Sequence, residues 1–418
     1  MPIRSARPAT SSPLINRATT LPRGSGREGV EPMLNPREVK RLERALSSAP
    51  VDVKKRIDSL AASFKGEAAP VASALFLRAV TARADRLGEP ATMKTLEAFA
   101  ARAGKLSTAE LLNRSSVLDL DSSKNDGAFD PIRLWDKRGN TKSPDAPDAA
   151  SDNDGLYQRF TASCGPTVLQ MVLAEADPVM AFAIHDAGLR SDSTTDAVAK
   201  FQRAVLEELG GVAIGRRESH TASRLNNILG RLVTSGKVSA PQREALSAYA
   251  KGVAPMTVAA SRALETVRAQ YDGFPDDAEL ERVRTALLPA RDEGVDTERF
   301  QTLMNKMTRE LTGIEYRMTN GPDGFARGGA GKYLDAVEKA LAGGIDVPFG
   351  VSEPAHWMLL TNVKREGGVR SFLVSDPDGG RTAWVKEKDF VSGKFGSEPF
   401  QLNKPGERPY VDSFFLPK

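Results

Sequence analysis

From Val39 to Leu341 the apolar residues of this chain recur mainly at three- and four-residue spacing. Beyond Gly343-Gly344 they gather into short β-rich runs cut by glycine turns. A helix returns to one face every 3.6 residues and a strand every second residue, so the change of period separates a large helical part from one small sheet. Strands that follow one another through tight glycine turns pair antiparallel. The class implied is α+β, with helices packed on an antiparallel meander.

The helical part is interrupted. Residues 1–35 are rich in Ser, Thr, Pro, Arg and Gly without apolar period and read as a disordered tail. The alternative is a specialised export signal of the kind effector proteins carry. Asn35-Pro36 supplies a cap and a proline at the first helical position. Stripes follow at Val39, Leu42 and Leu46, at Val53, Ile57, Leu60 and Phe64, at Leu75, Leu77 and Val80, and at Met93, Leu96 and Phe99. Residues 36–113 therefore form a helical region of three to five helices. Residues 114–155, dominated by Asp, Ser, Asn, Pro and Lys, read as a linker with one docked spot at Ile132 and Trp135. A calcium loop counted from Asp121 fails, because Asp126 occupies the glycine slot and Ile132 the twelfth position. Residues 156–418 form the last domain, with a helical insertion over about 212–320. Its strands are expected at Ile345–Gly350, His356–Lys364, Val369–Asp376 and Thr382–Lys386.

Composition excludes several functions. The 58 basic and 54 acidic side chains leave a net charge of only +4, with no basic run interleaved with aromatics, so no nucleic-acid partner is expected. There is no apolar stretch of the length that spans a membrane, about 18 residues, and no apolar core of an ordinary secretory signal near the N-terminus. The protein is expected to be cytoplasmic, or exported without such a signal. One cysteine permits neither an intrachain disulfide nor a cysteine zinc cluster. Neither a cofactor nor a metal is expected. Gly328-Gly-Ala-Gly331-Lys332 resembles a phosphate loop but carries Ala326 and Tyr333 where glycine and Ser or Thr are required.

That single cysteine sits in Gln158-Arg-Phe-Thr-Ala-Ser-Cys164-Gly-Pro-Thr167, where a helix should begin. A thiolate is the nucleophilic form of cysteine, and a helix N-terminus and an imidazolium both favour it. Gly165 leaves room for a substrate carbonyl. The Cys164 N–H and the Gln158 amide can donate to a developing oxyanion. Of the three histidines, His185 and His220 lie in helical stretches and read as packing or surface residues. His356 opens a strand. A hairpin centred on Glu366–Gly367 sets Asp376 across from it, within reach of its ring. A carboxylate there fixes the tautomer and stabilises the imidazolium. Asp346 and Asp378 are nearby competitors, and Asp378 fits a turn better.

Gln158-x5-Cys164-Gly-Pro, with His356-Trp357-Met-Leu-Leu-Thr361 and Phe372-Leu-Val-Ser-Asp376-Pro377 far downstream, resembles a papain-like cysteine peptidase. It is most similar to the bacterial branch that includes the double-glycine leader peptidases. The resemblance covers roughly 156–190 and 330–390. It implies the papain-like fold, with the helix carrying the cysteine packed on an antiparallel sheet. It also implies a thiol hydrolase with Cys164 as nucleophile, His356 as general base, Asp376 as its orienter and Gln158 as oxyanion donor. The substrate would be a protein or peptide, cleaved at a peptide or isopeptide bond through an acyl-enzyme. The same residues serve deamidases, transglutaminases and acyltransferases, and an inactive scaffold on the same fold is the third reading. The N-terminal helices are either a pro-segment that blocks the cleft or a docking or targeting module. The oligomeric state is left open.

Overall fold

The computed structural model describes residues 34–118, 155–160, 163–189, 193–211, 213–287, 297–319, 329–352, 356–377, 380–392 and 410–418. The reading of the N-terminal tail, the spot at Ile132 and Trp135, the loop from Asp121 and the competitor Asp378 lie outside these residues.

Five helices open the chain: α1 (Pro36–Ser48), α2 (Val51–Ser63), α3 (Ala69–Ala82), α4 (Pro90–Ala103) and α5 (Thr108–Arg114). The Asn35 side chain accepts from the Arg37 and Glu38 N–H groups, and the Glu38 carboxylate accepts from the Asn35 N–H at 2.7 Å. This reciprocal cap satisfies amide groups that a helix start leaves bare. α3 is buried on nearly every side, from Ala72 to Leu77 and from Ala79 to Ala82, so its neighbours wrap it. Leu42, Ile57, Leu96 and Leu111 close the core around it.

The next helices are α6 (Cys164–Ala176), α7 (Pro178–Ala187) and α8 (Ala197–Glu208). α6 is a second central helix, buried continuously from Gly165 to Ala174. α7 joins it to the first core: Phe182 meets Phe99 edge to face, with ring centres 5.1 Å apart.

Helices α9 (Arg216–Thr234), α10 (Ala240–Ala250), α11 (Val258–Gln270) and α12 (Asp277–Leu287) have their own core of Leu225, Leu229, Leu246, Leu264, Val267 and Val283. The expected insertion of about 212–320 is narrower than its stripes suggest. Helix α13 (Thr297–Thr312) and strand β1 (Tyr316–Met318) pack into the main core, where Phe300, Met304 and Tyr316 are buried beside Leu169 and Phe349.

Helix α14 (Leu334–Ala342) precedes β2 (Val347–Ser352), β3 (His356–Glu366), β4 (Val369–Asp376) and β5 (Arg381–Lys386), and α15 (Glu387–Val391) and β6 (Tyr410–Pro417) end the described chain. Residues 329–333, within the sequence that resembles a phosphate loop, form a 3-10 turn leading into α14. The six strands form one sheet in the order β1-β6-β2-β3-β4-β5, every neighbouring pair antiparallel. The fold is thus mixed α+β. Phe349, Phe372, Phe390 and Phe414 fill one region of its core. Trp357 and Phe415 pack against Phe300, each ring centre 5.1–5.8 Å from another. Among the described residues no helix is long and apolar enough to cross a membrane.

The β3–β4 hairpin departs from the expected register. Its turn is Gly367-Gly368, both with positive φ (55° and 81°), between the paired Glu366 and Val369. The primed two-residue turn needs that backbone at both positions, which is why two glycines stand there. The hairpin is therefore centred on Gly367–Gly368 and not on Glu366–Gly367. A bulge then shifts the register between Leu360 and Asn362, so that Leu359 pairs with Ser375 and Leu360 with Val374.

Candidate active site

The bulge decides whether Asp376 and His356 can meet. In the register near the turn, Asn362 pairs with Leu373. Extended unbroken, that register would set Asp376 opposite Leu359, three residues from His356 and on the other face. The extra residue at Thr361 moves Asp376 opposite Met358, two residues from His356 and on its own face. His356 Nε2 and Asp376 Oδ1 lie 2.7 Å apart, with the side chains only 10% and 8% exposed. The pair is diagonal, not directly opposed as the simpler register implies.

Cys164 is the first residue of α6, and its side chain is hydrogen-bonded to His356. With Nε2 engaged by Asp376, the ring nitrogen that remains for the thiol is Nδ1. The imidazole thus stands between sulfur and carboxylate. Burial is the largest single effect on its pKa and lowers it. The Asp376 charge, the hydrogen bond to Asp376 and the contact with Cys164 together outweigh burial and hold the pKa well above the ordinary histidine value.

α6 starts here because Pro166 falls in the first turn, where the missing N–H costs nothing. The Ser163 carbonyl accepts from the Thr167 N–H at 2.9 Å and from the Thr167 hydroxyl at 2.8 Å. A Cβ built on Gly165 would lie 3.4 Å from Phe300 and 3.5 Å from Trp357, ordinary van der Waals contact with β3 and α13.

Gln158 is buried and joins the site through its main chain. Its N–H donates to the Pro377 carbonyl at 2.8 Å, one residue beyond Asp376. Gly155 N–H donates to the Gly380 carbonyl at 3.0 Å, so the segment before Cys164 runs along the end of β4 and the start of β5.

The other expected residues take different places. His185 Nε2 lies 2.7 Å from the Ser116 carbonyl, and burial lowers its pKa. It fastens the start of the expected linker, where Val117 is fully buried. The α9 backbone carries His220. Asp346 lies near Glu175, Glu38 and Arg78. Burial and then the charge of Glu175 push its pKa well up.

Sequence reasoning missed Gln202. Its side chain is fully buried on α8 and bonds to the Gln158 loop on both sides. A signal existed: it occupies a polar position inside the stripe Val198, Ala199, Val205 and Leu206.

Among the described residues no group of three or more His, Cys, Asp or Glu is placed to hold a metal ion. What the arrangement offers is a thiol beside a carboxylate-backed imidazole at a helix start, the ingredients of nucleophilic acyl transfer. Compared with known proteins, the chain matches no family model, no curated protein and no solved structure.

Proposed function

We propose that this protein is a papain-like cysteine peptidase, related in plan to the branch that includes the double-glycine leader peptidases. The observation that carries the reading is His356 standing between Cys164 and Asp376 at the start of α6. In the proposed reaction the Cys164 thiolate adds to the substrate carbonyl carbon. The carbonyl electron pair moves onto oxygen, which the Cys164 N–H and the Gln158 amide stabilise. The tetrahedral centre collapses, the C–N bond breaks, and the imidazolium of His356 gives its proton to the leaving amine. A thioester remains. His356 then takes a proton from water, whose oxygen attacks the thioester and releases the acid and the thiol. Asp376 holds the ring and stabilises its charged form throughout.

The test needs no known substrate. Wild type, Cys164→Ala and His356→Ala are each incubated with a peptide library or a proteome digest, and products are read by mass spectrometry. New termini that depend on both side chains are expected. Gln-to-Glu mass shifts or crosslinks without new termini would replace peptidase by deamidase or transglutaminase, which use the same thioester. Alkylation of Cys164 by iodoacetamide at equal rates in wild type and His356→Ala would remove the basis of either reading.

A further inference from the structure

We propose that Gln202 is a positioning residue that sets the Gln158 amide relative to the Cys164 N–H, so that the two form one oxyanion hole. The proposal rests on the cysteine-nucleophile reading above.

Gln202 projects from α8 into the main chain around the site and is fully buried. Its Oε1 accepts from the Arg159 N–H at 2.7 Å and lies 3.4 Å from the Ser163 hydroxyl, whose one proton goes to the Phe160 carbonyl at 2.8 Å. Its Nε2 donates to Gln170 Oε1 on α6 at 3.1 Å and to the Tyr157 carbonyl at 3.4 Å. One side chain thus holds the residue before Gln158 and the residue after it, and ties both to the cysteine helix. On its other side Gln158 is held by its own N–H to Pro377, next to Asp376.

The loop needs such a fastening. An irregular segment has main-chain groups that no helix or sheet ladder satisfies, and burial makes each of them costly to leave bare. Arg159 supplies a second anchor. Its buried guanidinium donates to the carbonyls of Gly188 and Leu189 and lies 3.5 Å from Asp196. Arg159 fixes the loop to the α7–α8 connection, however, whereas Gln202 fixes it to α6. Of these two anchors, the second relates the two oxyanion donors to each other, alongside the local Phe160–Ser163 turn. The position could have been filled by leucine, as the rest of its stripe is apolar. A buried amide network gains little stability over a packed apolar side chain but specifies one geometry.

The test compares two reactions of the same thiol. Iodoacetamide alkylates Cys164 by displacement of iodide and passes through no oxyanion. A p-nitrophenyl ester acylates it: the thiolate adds to the carbonyl, an oxyanion forms, the C–O bond breaks and nitrophenolate leaves. The ratio of the acylation to the alkylation rate cancels any change in the fraction of folded protein. Gln202→Leu is expected to lower this ratio at least about tenfold, as does a small misplacement of an oxyanion donor. Gln202→Glu, which keeps an acceptor for the Arg159 N–H but loses the Nε2 donors to Gln170 and Tyr157, is expected to lower the ratio as well and remains informative if the leucine variant does not fold. In a Gln158→Ala background, Gln202→Leu is expected to change the ratio by less than about twofold, because the group it positions is gone. Two results would overturn the proposal: an unchanged ratio in Gln202→Leu or, where that variant does not fold, in Gln202→Glu; or losses at 158 and 202 that multiply. If alkylation in the wild type is independent of His356, the cysteine-nucleophile reading fails and takes the proposal with it. That outcome is distinguishable, because it is read on alkylation alone.

Discussion

His356 is drawn in two directions. Burial opposes its charged form, while the Asp376 carboxylate and the Cys164 contact favour it, and the second influence wins. The sign of a pH effect follows. A histidine whose folded pKa exceeds its unfolded value, about 6.5, stabilises the fold fully below that pH and loses the contribution as pH rises through the folded pKa. In a Cys164→Ala background, where no thiol titrates, urea unfolding should show stability falling as pH rises from about 6.5 through the alkaline range, by at most about 1.4 kcal/mol per pH unit for one proton. Asp376→Asn in the same background should flatten the slope, because the charge that favours the imidazolium is gone. Equal slopes in the two proteins would mean that Asp376 does not hold the proton on His356. Cys164 and His356 could be read in the sequence because their chemistry is rare there: one cysteine, and three histidines of which one opens a strand. Gln202 could not be weighed in the same way. A glutamine in a helix is common, and only its place inside an apolar stripe marks it.

The helices were legible for the reason that period is legible. Stripes such as Val53, Ile57, Leu60 and Phe64 or Leu225, Leu229 and Leu232 repeat over several turns and do face a core, with Leu60 and Phe64 only partly buried at its edge. The register of the hairpin was not, because its bulge falls at Thr361 in a sequence that carries no glycine or proline to announce it. β6 was missed for another reason. Its partners β1 and β2 lie far away along the chain, and pairing over such separations leaves no local mark. Two glycines separate the roles of turn and site. Gly368 adopts φ 81° at the hairpin tip with open space where a Cβ would go, so Gly368→Ala should cost about 1–2 kcal/mol of stability through the left-handed backbone, and little else. Gly380 adopts φ 65°, and a Cβ there would come to within 2.3 Å of the Gly155 carbonyl oxygen. Gly380→Ala must push the 155–158 segment away from β4, and with it the Gln158 contact to Pro377. We expect the acylation rate of Cys164 to fall about tenfold or more in Gly380→Ala and to stay near wild type in Gly368→Ala, read on the folded fraction of each. Equal acylation in the two variants would show that the 155–158 segment does not act on the site.

The N-terminal helices bear on how the molecule is controlled. A pro-segment blocks a cleft from outside and can be removed. Among the described residues, α1–α5 instead meet α6 at the end remote from Cys164, about 18 Å away along a helix of 13 residues. Arg83, just beyond α3, forms a bidentate pair with Asp177 at 2.7 and 2.8 Å, and both side chains are largely buried. Asp177 also caps α7 by accepting from the Val179 N–H. Arg78 donates to the Glu175 carbonyl, and Arg102 and Arg114 both pair with Asp186 on α7. Phe182 on α7 completes the N-terminal core. Removing residues 1–118 would therefore uncover Phe182 and leave Asp177 and Glu175 without the arginines that face them. Arg83→Ala alone should lower the unfolding free energy by about 3–5 kcal/mol, because it strands a buried carboxylate. Urea unfolding of that variant checks the magnitude. The shortened chain is expected to unfold at lower urea and to show no faster alkylation of Cys164 than the full chain. Faster alkylation at an unchanged unfolding midpoint would make the helices an inhibitory segment after all. The expected result instead makes them part of the framework that holds the far end of α6, so that the helix start carrying Cys164 stays aligned with His356.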